Sequence, residues 1–253
     1  MKKILIFLPI LLLASFGCDE STTEPPVNNS SEDFFPNSDG NFYNYNVLVY
    51  DSSGALVDSG KKKSVYTGDT ILYGRSFQVK SDVFELTILQ TESNSYFRKH
   101  TSGVNNGITL DSTGSYYILP DSLRHNFSLT LEYPFLNDSL EINQTWHVFE
   151  IWADIPQFEI FNVDAEVISL DTLTISFQNT IRSAEVFKIR YDARFTTGLS
   201  QSPKLFEVNA LIAKGIGFIK WEGDAKLINF FAGAEIYPLN TTVLEELETY
   251  KVK

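Results

Sequence analysis

His100, His125 and His147 are the only histidines in the chain, and none has a second histidine or a ligand-spaced carboxylate beside it. Zinc chemistry needs three or four such groups converging, so no metal site is expected. A nucleophile elbow needs Gly-x-Ser-x-Gly. The nearest sequences, Gly74-Arg75-Ser76 and Gly198-Leu199-Ser200, lack the closing glycine. Gly215-Ile216-Gly217 begins like a dinucleotide fingerprint, but Lys220 stands where the third glycine belongs, and strand-like sequence surrounds it; a bulge or hairpin is expected there. Asn37, Asp39, Gly40 and Asn41 suggest a calcium loop only until Phe35 falls on its first ligand position, so they read as a turn. Asp164 with Glu166, and Glu222 with Asp224, are the nearest carboxylate pairs for glycoside hydrolysis, yet an acidic chain holds many such pairs on solvated strand faces. No catalytic residue, cofactor or metal is assigned, and the chain reads as a non-enzyme.

One stretch is less ordinary. In Trp146 to Ala153, strand alternation places Trp146, Val148 and Trp152 on one face with Glu150, and His147, Phe149, Ile151 and Ala153 on the other. Both faces read as sheltered. If the strand faces an open barrel lumen, Trp146, Glu150 and Trp152 line a ligand site. The alternative is a core strand with Glu150 at its rim. A second pattern is Asp followed by Ser or Thr and then an aliphatic residue or Thr, which recurs around Thr70, Ser112, Ser122, Ser139 and Thr172. These triplets resemble acceptors for the O-glycosylation that some Gram-negative bacteria perform on exported proteins. Turn residues followed by the start of a strand give the same pattern.

The opening segment says where the protein lives. Lys2 and Lys3 precede an apolar run from Ile4 to Ala14, too short to span a bilayer and shaped like the h-region of an export signal. The run ends at Ser15-Phe16-Gly17-Cys18, with small residues before the single cysteine. This resembles the lipobox of bacterial lipoproteins, with Ser15 in place of the usual Leu. The resemblance implies cleavage before Cys18, a diacylglycerol thioether and an amide-linked acyl chain; several chains at about 0.8 kcal/mol per buried CH₂ anchor stably. A plain secretory signal with an incidental cysteine is the alternative. Loss of residues 1–17 leaves 18 basic against 32 acidic residues, a charge of −14. That balance argues against nucleic acid and against an electrostatic grip on anionic headgroups. With Cys18 acylated, no thiol remains for disulfides or catalysis. The expected location is the cell envelope, through acyl chains in the outer membrane, on its periplasmic face or at the cell surface. Asp19 and Glu20 fit either a surface-display or an inner-membrane retention signal and do not choose between them.

The elements behind these residues follow from composition. From Asp19 to Asp33 the only aliphatic residue outside Pro25-Pro26 is Val27, so residues 18–33 read as a lipidated cysteine and a disordered tether. Aromatic and β-branched residues recur from Phe34 to the end, giving one domain over 34–253. Its dominant period is two. Strands are expected over Phe42 to Tyr50, Thr70 to Val79, Val83 to Leu89, Phe127 to Tyr133, Trp146 to Ala153, Val163 to Leu170, Leu173 to Phe177, Glu185 to Ala193, Leu205 to Ala213, Ile216 to Glu222 and Leu227 to Tyr237. Turn chemistry falls at Asp51 to Gly54, Asp58 to Gly60, Gly68-Asp69, Asn105 to Gly107, Asp111 to Gly114 and Gly223-Asp224. The one helix candidate is the tail, where Thr242 and Glu245 match a capping box and Val243, Leu247 and Tyr250 share a face; a last strand is the competing reading. The fold class is all-β, a single antiparallel curled sheet closing into a barrel or sandwich, behind a cleaved signal peptide and the tether.

Phe34-Phe35-Pro36 with Gly40-Asn41-Phe42-Tyr43-Asn44-Tyr45, Trp146, and Ala213-Lys214-Gly215-Ile216-Gly217-Phe218-Ile219-Lys220 resemble the TapB-like group of bacterial envelope domains of unknown function. Members often carry Trp where this chain has Phe42. The resemblance implies a curled antiparallel barrel with a final strand near Leu247 to Val252, and it implies no catalytic residue. Three functions are consistent with these readings. The first is a lipid-anchored envelope protein whose barrel binds an apolar ligand or a partner protein; the others are a surface module that binds or acts on glycans and a purely structural envelope component.

Overall fold

The computed structural model describes residues 33–108, 110, 116–119, 130–137, 139–154, 157–177, 180–196, 198 and 202–253. Twelve strands form one antiparallel sheet: β1 (Phe42–Tyr50), β2 (Leu56–Leu72), β3 (Arg75–Leu86), β4 (Gln90–His100), β5 (Gly103–Gly107), β6 (Glu132–Asn137), β7 (Thr145–Asp154), β8 (Gln157–Phe177), β9 (Thr180–Phe195), β10 (Lys204–Ala213), β11 (Gly217–Asp224) and β12 (Thr242–Lys251). The order is β6-β5-β4-β3-β2-β1-β12-β11-β10-β9-β8-β7, so β1 pairs with β12 and the sheet curls into a nearly closed barrel whose free edges are β6 and β7. Curling hides the edges that an open sheet would offer to other chains.

Several expected elements take a different form. Leu227 to Tyr237, expected as a strand, begins as helix α1 (Ala225–Ala232). Seven of its eight residues are buried, all but Lys226, which places the helix inside the core. Period alone does not separate such a segment from a buried strand. Gly233 ends it in the left-handed region at φ 68°, with its N–H bonded to the Phe230 carbonyl at 3.2 Å. The fully buried Asn229 then fastens the returning chain: its amide donates to the Tyr237 carbonyl at 2.8 Å and its Oδ1 accepts from the N–H of Ile236 and Tyr237.

The tail is strand β12, not a helix. Val243, Glu245 and Leu247 point inward at period two, and pairing with both β1 and β11 fixes them there. Val163 to Leu170 and Leu173 to Phe177 are one strand, and Thr70 to Val79 is split by the Tyr73-Gly74 turn. Asp58 to Gly60 and Asn105 to Gly107 are strand rather than turn. At Gly60 the β3 backbone passes so close that a Cβ would sit 2.1 Å from the Glu85 carbonyl oxygen, which explains the glycine without a turn. Gly68-Asp69 falls at the register shift that bends β2. Gly215-Ile216-Gly217 is the β10–β11 hairpin, with both glycines at positive φ. Of Phe127 to Tyr133, the described part enters β6; the rest lies outside the described residues.

The described chain ends lie together at one end of the barrel, where the Lys253 N–H bonds Asn41 Oδ1 at 2.9 Å and the Gly215 N–H bonds the Asp33 carbonyl at 2.8 Å. Alternation of strand directions puts the β1–β2 and β3–β4 hairpins at the opposite end.

Candidate functional site

The barrel interior has two unlike halves. Beneath β6 to β9 and β11, helix α1 inserts Phe230 and Phe231 into a continuous aromatic cluster. Phe231 meets Tyr191 at 4.8 Å, Phe135 at 5.4 Å and Trp221 at 5.6 Å between ring centroids. Phe230 meets Tyr133 and Phe149 at 5.1 Å and Phe161 at 5.4 Å. Stacked and edge-to-face rings at these distances fill the space as a packed core does.

Beneath β2, β3, β4 and β12 the inward positions carry charge. Cross-strand register sets Ser64, Asp82 and Ser93 side by side, and Tyr66, Lys80 and Ser95 in the next inward row. Lys62 Nζ pairs with Glu245 Oε2 at 2.7 Å, and the Tyr237 hydroxyl donates to Glu245 Oε1 at 2.7 Å. Lys62 is 7% exposed and Glu245 1%. The second pair is looser. Lys80 Nζ lies 3.1 Å from Asp82 Oδ2, but the contact is ionic rather than an aligned hydrogen bond. Both oxygens of Asp82, a residue 1% exposed, lack a hydrogen-bond partner, as do the hydroxyls of Ser64, Ser93 and Ser95. Buried polar atoms are normally satisfied, and a carboxylate left so is costly.

Burial alone would depress the Lys62 ammonium; the Glu245 carboxylate, and then Asp82, outweigh it and hold the pKa above the ordinary lysine value. For Lys80, burial wins over Asp82 and its pKa is lowered. Tyr45, Tyr66 and Tyr237 are pushed well up, chiefly by burial. Lys62, Lys80, Tyr45 and Tyr66 border a cavity of about 60 Å³. One wall is Lys62, Ser64, Lys80, Asp82 and Glu245; the other is aromatic, including Phe97, Phe135, Phe218 and Trp221, and Phe35 and Pro36 close it at the tether end. A second cavity of about 20 Å³ lies between β4, β5, α1 and residues 116–118.

None of these polar residues stood out in the sequence as chemistry. The signal available was an inward-phase Lys62-x-Ser64-x-Tyr66 opposite Lys80-x-Asp82-x-Phe84, which becomes legible only once the register is known.

The residues singled out by sequence lie elsewhere. Register shifts in the β7–β8 pair break the alternation, so Trp146 is half-buried against Tyr191, Val148 and Phe149 are both buried, and Trp152 stands 41% exposed. Trp152 Nε1 donates to Glu150 Oε2 at 2.9 Å on the outer face. Glu150 and Trp152 are thus joined on the outer face while Trp146 packs separately against Tyr191, and none of the three borders either cavity. His147 Nδ1 lies 2.9 Å from Asp164 Oδ1 on that outer face, and His100 Nε2 lies 2.9 Å from Asn105 Oδ1. The carboxylate pairs are taken up by neighbours: Glu166 by Arg190 at 2.5 Å, Glu222 by Lys220 at 2.7 Å, and Asp224 by the Glu207 N–H at 2.7 Å. Thr70 is half-buried on β2, Thr172 exposed on β8 and Ser139 exposed after β6. Cys18, Ser112, Ser122 and His125 lie outside the described residues.

No family model matches this chain. No curated relative matches it either. Two solved structures have a similar arrangement. One, from Parabacteroides distasonis, is provisionally described as a lipoprotein; it shares 14% identity at a TM-score of 0.44, over 87% of this chain and 99% of that one. The other, from Bacteroides fragilis, is provisionally described as an exported protein with a YmcC-like fold; it shares 10% identity at a TM-score of 0.44, over the same shares of each chain. Likeness at this level transfers neither an activity nor a ligand. The TapB-like resemblance rests on its short motifs alone.

Proposed function

We propose that the chain is a lipid-anchored, non-enzymatic protein of the bacterial envelope, held in the outer membrane through Cys18, whose barrel docks a partner protein at the end away from its tether. The observation that carries this reading is an exposed apolar patch on that end. Leu56, Val57, Ile88 and Leu89 are 55%, 43%, 76% and 37% exposed. The Thr87 N–H, bonded to the Ser59 carbonyl at 3.1 Å and to Asp58 Oδ1 at 3.0 Å, holds the two segments side by side. Clustered exposed aliphatics mark interaction surfaces. An apolar ligand in the lumen is the weaker half of the original expectation, because described cavities of about 60 and 20 Å³ fall far below the roughly 300–1,000 Å³ of ligand pockets.

A photo-crosslinking side chain in place of Ile88 tests the reading in living cells. A discrete protein adduct is expected there, and none from the same side chain at Ile71, which is 68% exposed on the tether-end β2–β3 hairpin. Equal adducts at both positions, or none at Ile88, refute the docking surface. The anchor is tested separately: Cys18→Ala should move the protein out of the membrane fraction without changing its unfolding transition, and retention would end the lipoprotein assignment.

The glycan reading keeps one observation of its own, the exposed Trp152 indole held by Glu150. Oligosaccharides should then change tryptophan emission in the native protein and not in Trp152→Phe.

A further inference from the structure

We infer that the charged cavity under β2, β3 and β12 is a binding site for one small net-neutral molecule that donates hydrogen bonds at one end and accepts them at the other, a zwitterion of about glycine's size. This goes beyond the docking surface and does not depend on it.

The argument begins with what the cavity leaves unmet. Asp82 places Oδ1 there with no partner and Oδ2 with only the Lys80 ammonium at 3.1 Å, and Ser64 adds an unpartnered hydroxyl, at 1% and 2% exposure. On the same wall, Lys62 and Lys80 each carry three N–H donors, and the contacts to Glu245 and Asp82 engage one oxygen apiece. Both signs of demand are therefore present. A lone cation on Asp82 would face two ammonium groups, and a lone anion on the lysines would face Asp82 and Glu245. Two lysines and two carboxylates already balance, so an occupant of net charge would unbalance a sheltered site. A zwitterion answers both: its ammonium supplies the donors Asp82 lacks, and its carboxylate takes the spare donors of Lys62 and Lys80.

Size and shape agree. A volume of about 60 Å³ holds roughly four to six water-sized groups, which suits glycine and excludes a sugar or a lipid. The facing wall of Phe97, Phe135, Phe218 and Trp221 offers apolar contact to a methylene and no competing charge.

The test uses the full-length lipidated protein in detergent, with glycine as probe and methylammonium chloride and sodium acetate, at matched ionic strength, as its two halves. Glycine should raise the thermal midpoint progressively with concentration, as a ligand of the native state must. Each half should do less. Asp82→Asn keeps the side chain's shape and should weaken the glycine response about tenfold or more. Should that variant fail to fold, Ser64→Ala is the substitute and should also weaken it. Native mass spectrometry should show one glycine adduct, lost in the same variant. The proposal is overturned if glycine does no more than acetate or methylammonium, or if Asp82→Asn responds like the parent; the cavity then holds water only.

Discussion

Around Phe231 and around Asp82 the barrel interior is equally sheltered from solvent, yet one region is held by ring contacts and the other by ion pairs. The aromatic half loses nothing by being dry. Some of its polar atoms find partners, as when the Tyr191 hydroxyl donates to the Phe135 carbonyl at 3.2 Å, while Trp146 Nε1 and Asn106 Oδ1 have none. The charged half holds two lysines and two carboxyl groups in a sheltered interior, pairs one couple tightly and the other loosely, and leaves oxygens and hydroxyls unmet. The first region has the ring packing that stabilises a fold, and the second is where we infer selective binding. Buried ion pairs seldom outperform apolar packing of the same volume, so their presence points to a role other than holding the fold.

The largest effect expected is in the aromatic half. Phe231→Ala should cost about 3–5 kcal/mol in urea unfolding, since the ring touches Phe135, Tyr191, Trp221 and Phe230 and no neighbour can refill the space. A loss under about 1 kcal/mol would erase the distinction between the halves.

Next comes the charged half. Lys62→Met should cost about 3 kcal/mol by stranding Glu245, whereas Lys62→Met with Glu245→Met and Tyr237→Phe should recover most of it, because the whole Lys62–Glu245–Tyr237 network is removed and no member of it is left stranded. If the triple variant stays as unstable as the single one, the ion pair is itself structural.

A smaller effect lies in alkaline solution. Burial raises the pKa of Tyr191 in one half and of Tyr45, Tyr66 and Tyr237 in the other. The unfolded chain releases these protons near pH 10 while the folded one keeps them, so their contribution is full below about pH 10 and is lost as pH rises further. The raised Lys62 acts in the same direction above about pH 10.4. Lys80 is lowered, so below about pH 10.4 it makes stability rise with pH. In unfolding curves measured at about pH 9 to 11, Tyr191→Phe should remove up to about 1.4 kcal/mol per pH unit of the decline; an unchanged slope would place that hydroxyl in water. Smallest of all, Trp152→Ala on the outer face should change stability by about 0.5 kcal/mol, and a loss of several times that would mean the indole is packed.

The same contrast explains what could be read in advance. Strands over the aromatic half, such as β9 with Phe187, Ile189, Tyr191 and Ala193 inward, alternate apolar with polar and were legible. The period predicts no strand over β4 or over residues 61–67 of β2, and Asp58 to Gly60 reads as a turn. Each has two polar inward residues, Ser93 and Ser95 on β4 and Lys62 and Ser64 on β2, before a single aromatic, Phe97 or Tyr66, so the period-two signal is too short to read. Helix α1 is illegible because its eight residues are too few, and too apolar in sum, for a helical period to stand out from a strand's.

By itself, the sequence determined the antiparallel all-β class and the absence of βαβ alternation, because these depend on local period and turn chemistry. Its charge and opening segment set the envelope expectation in the same local way. Tertiary structure alone decided that the lumen is plugged by a helix, that Trp152 faces outward, and that Lys62, Lys80, Asp82 and Glu245 share one cavity. The last two depend on strand register across the ring and on bulges that shift it. A one-residue slip exchanges inside for outside, and no local pattern records which register the closed sheet adopts.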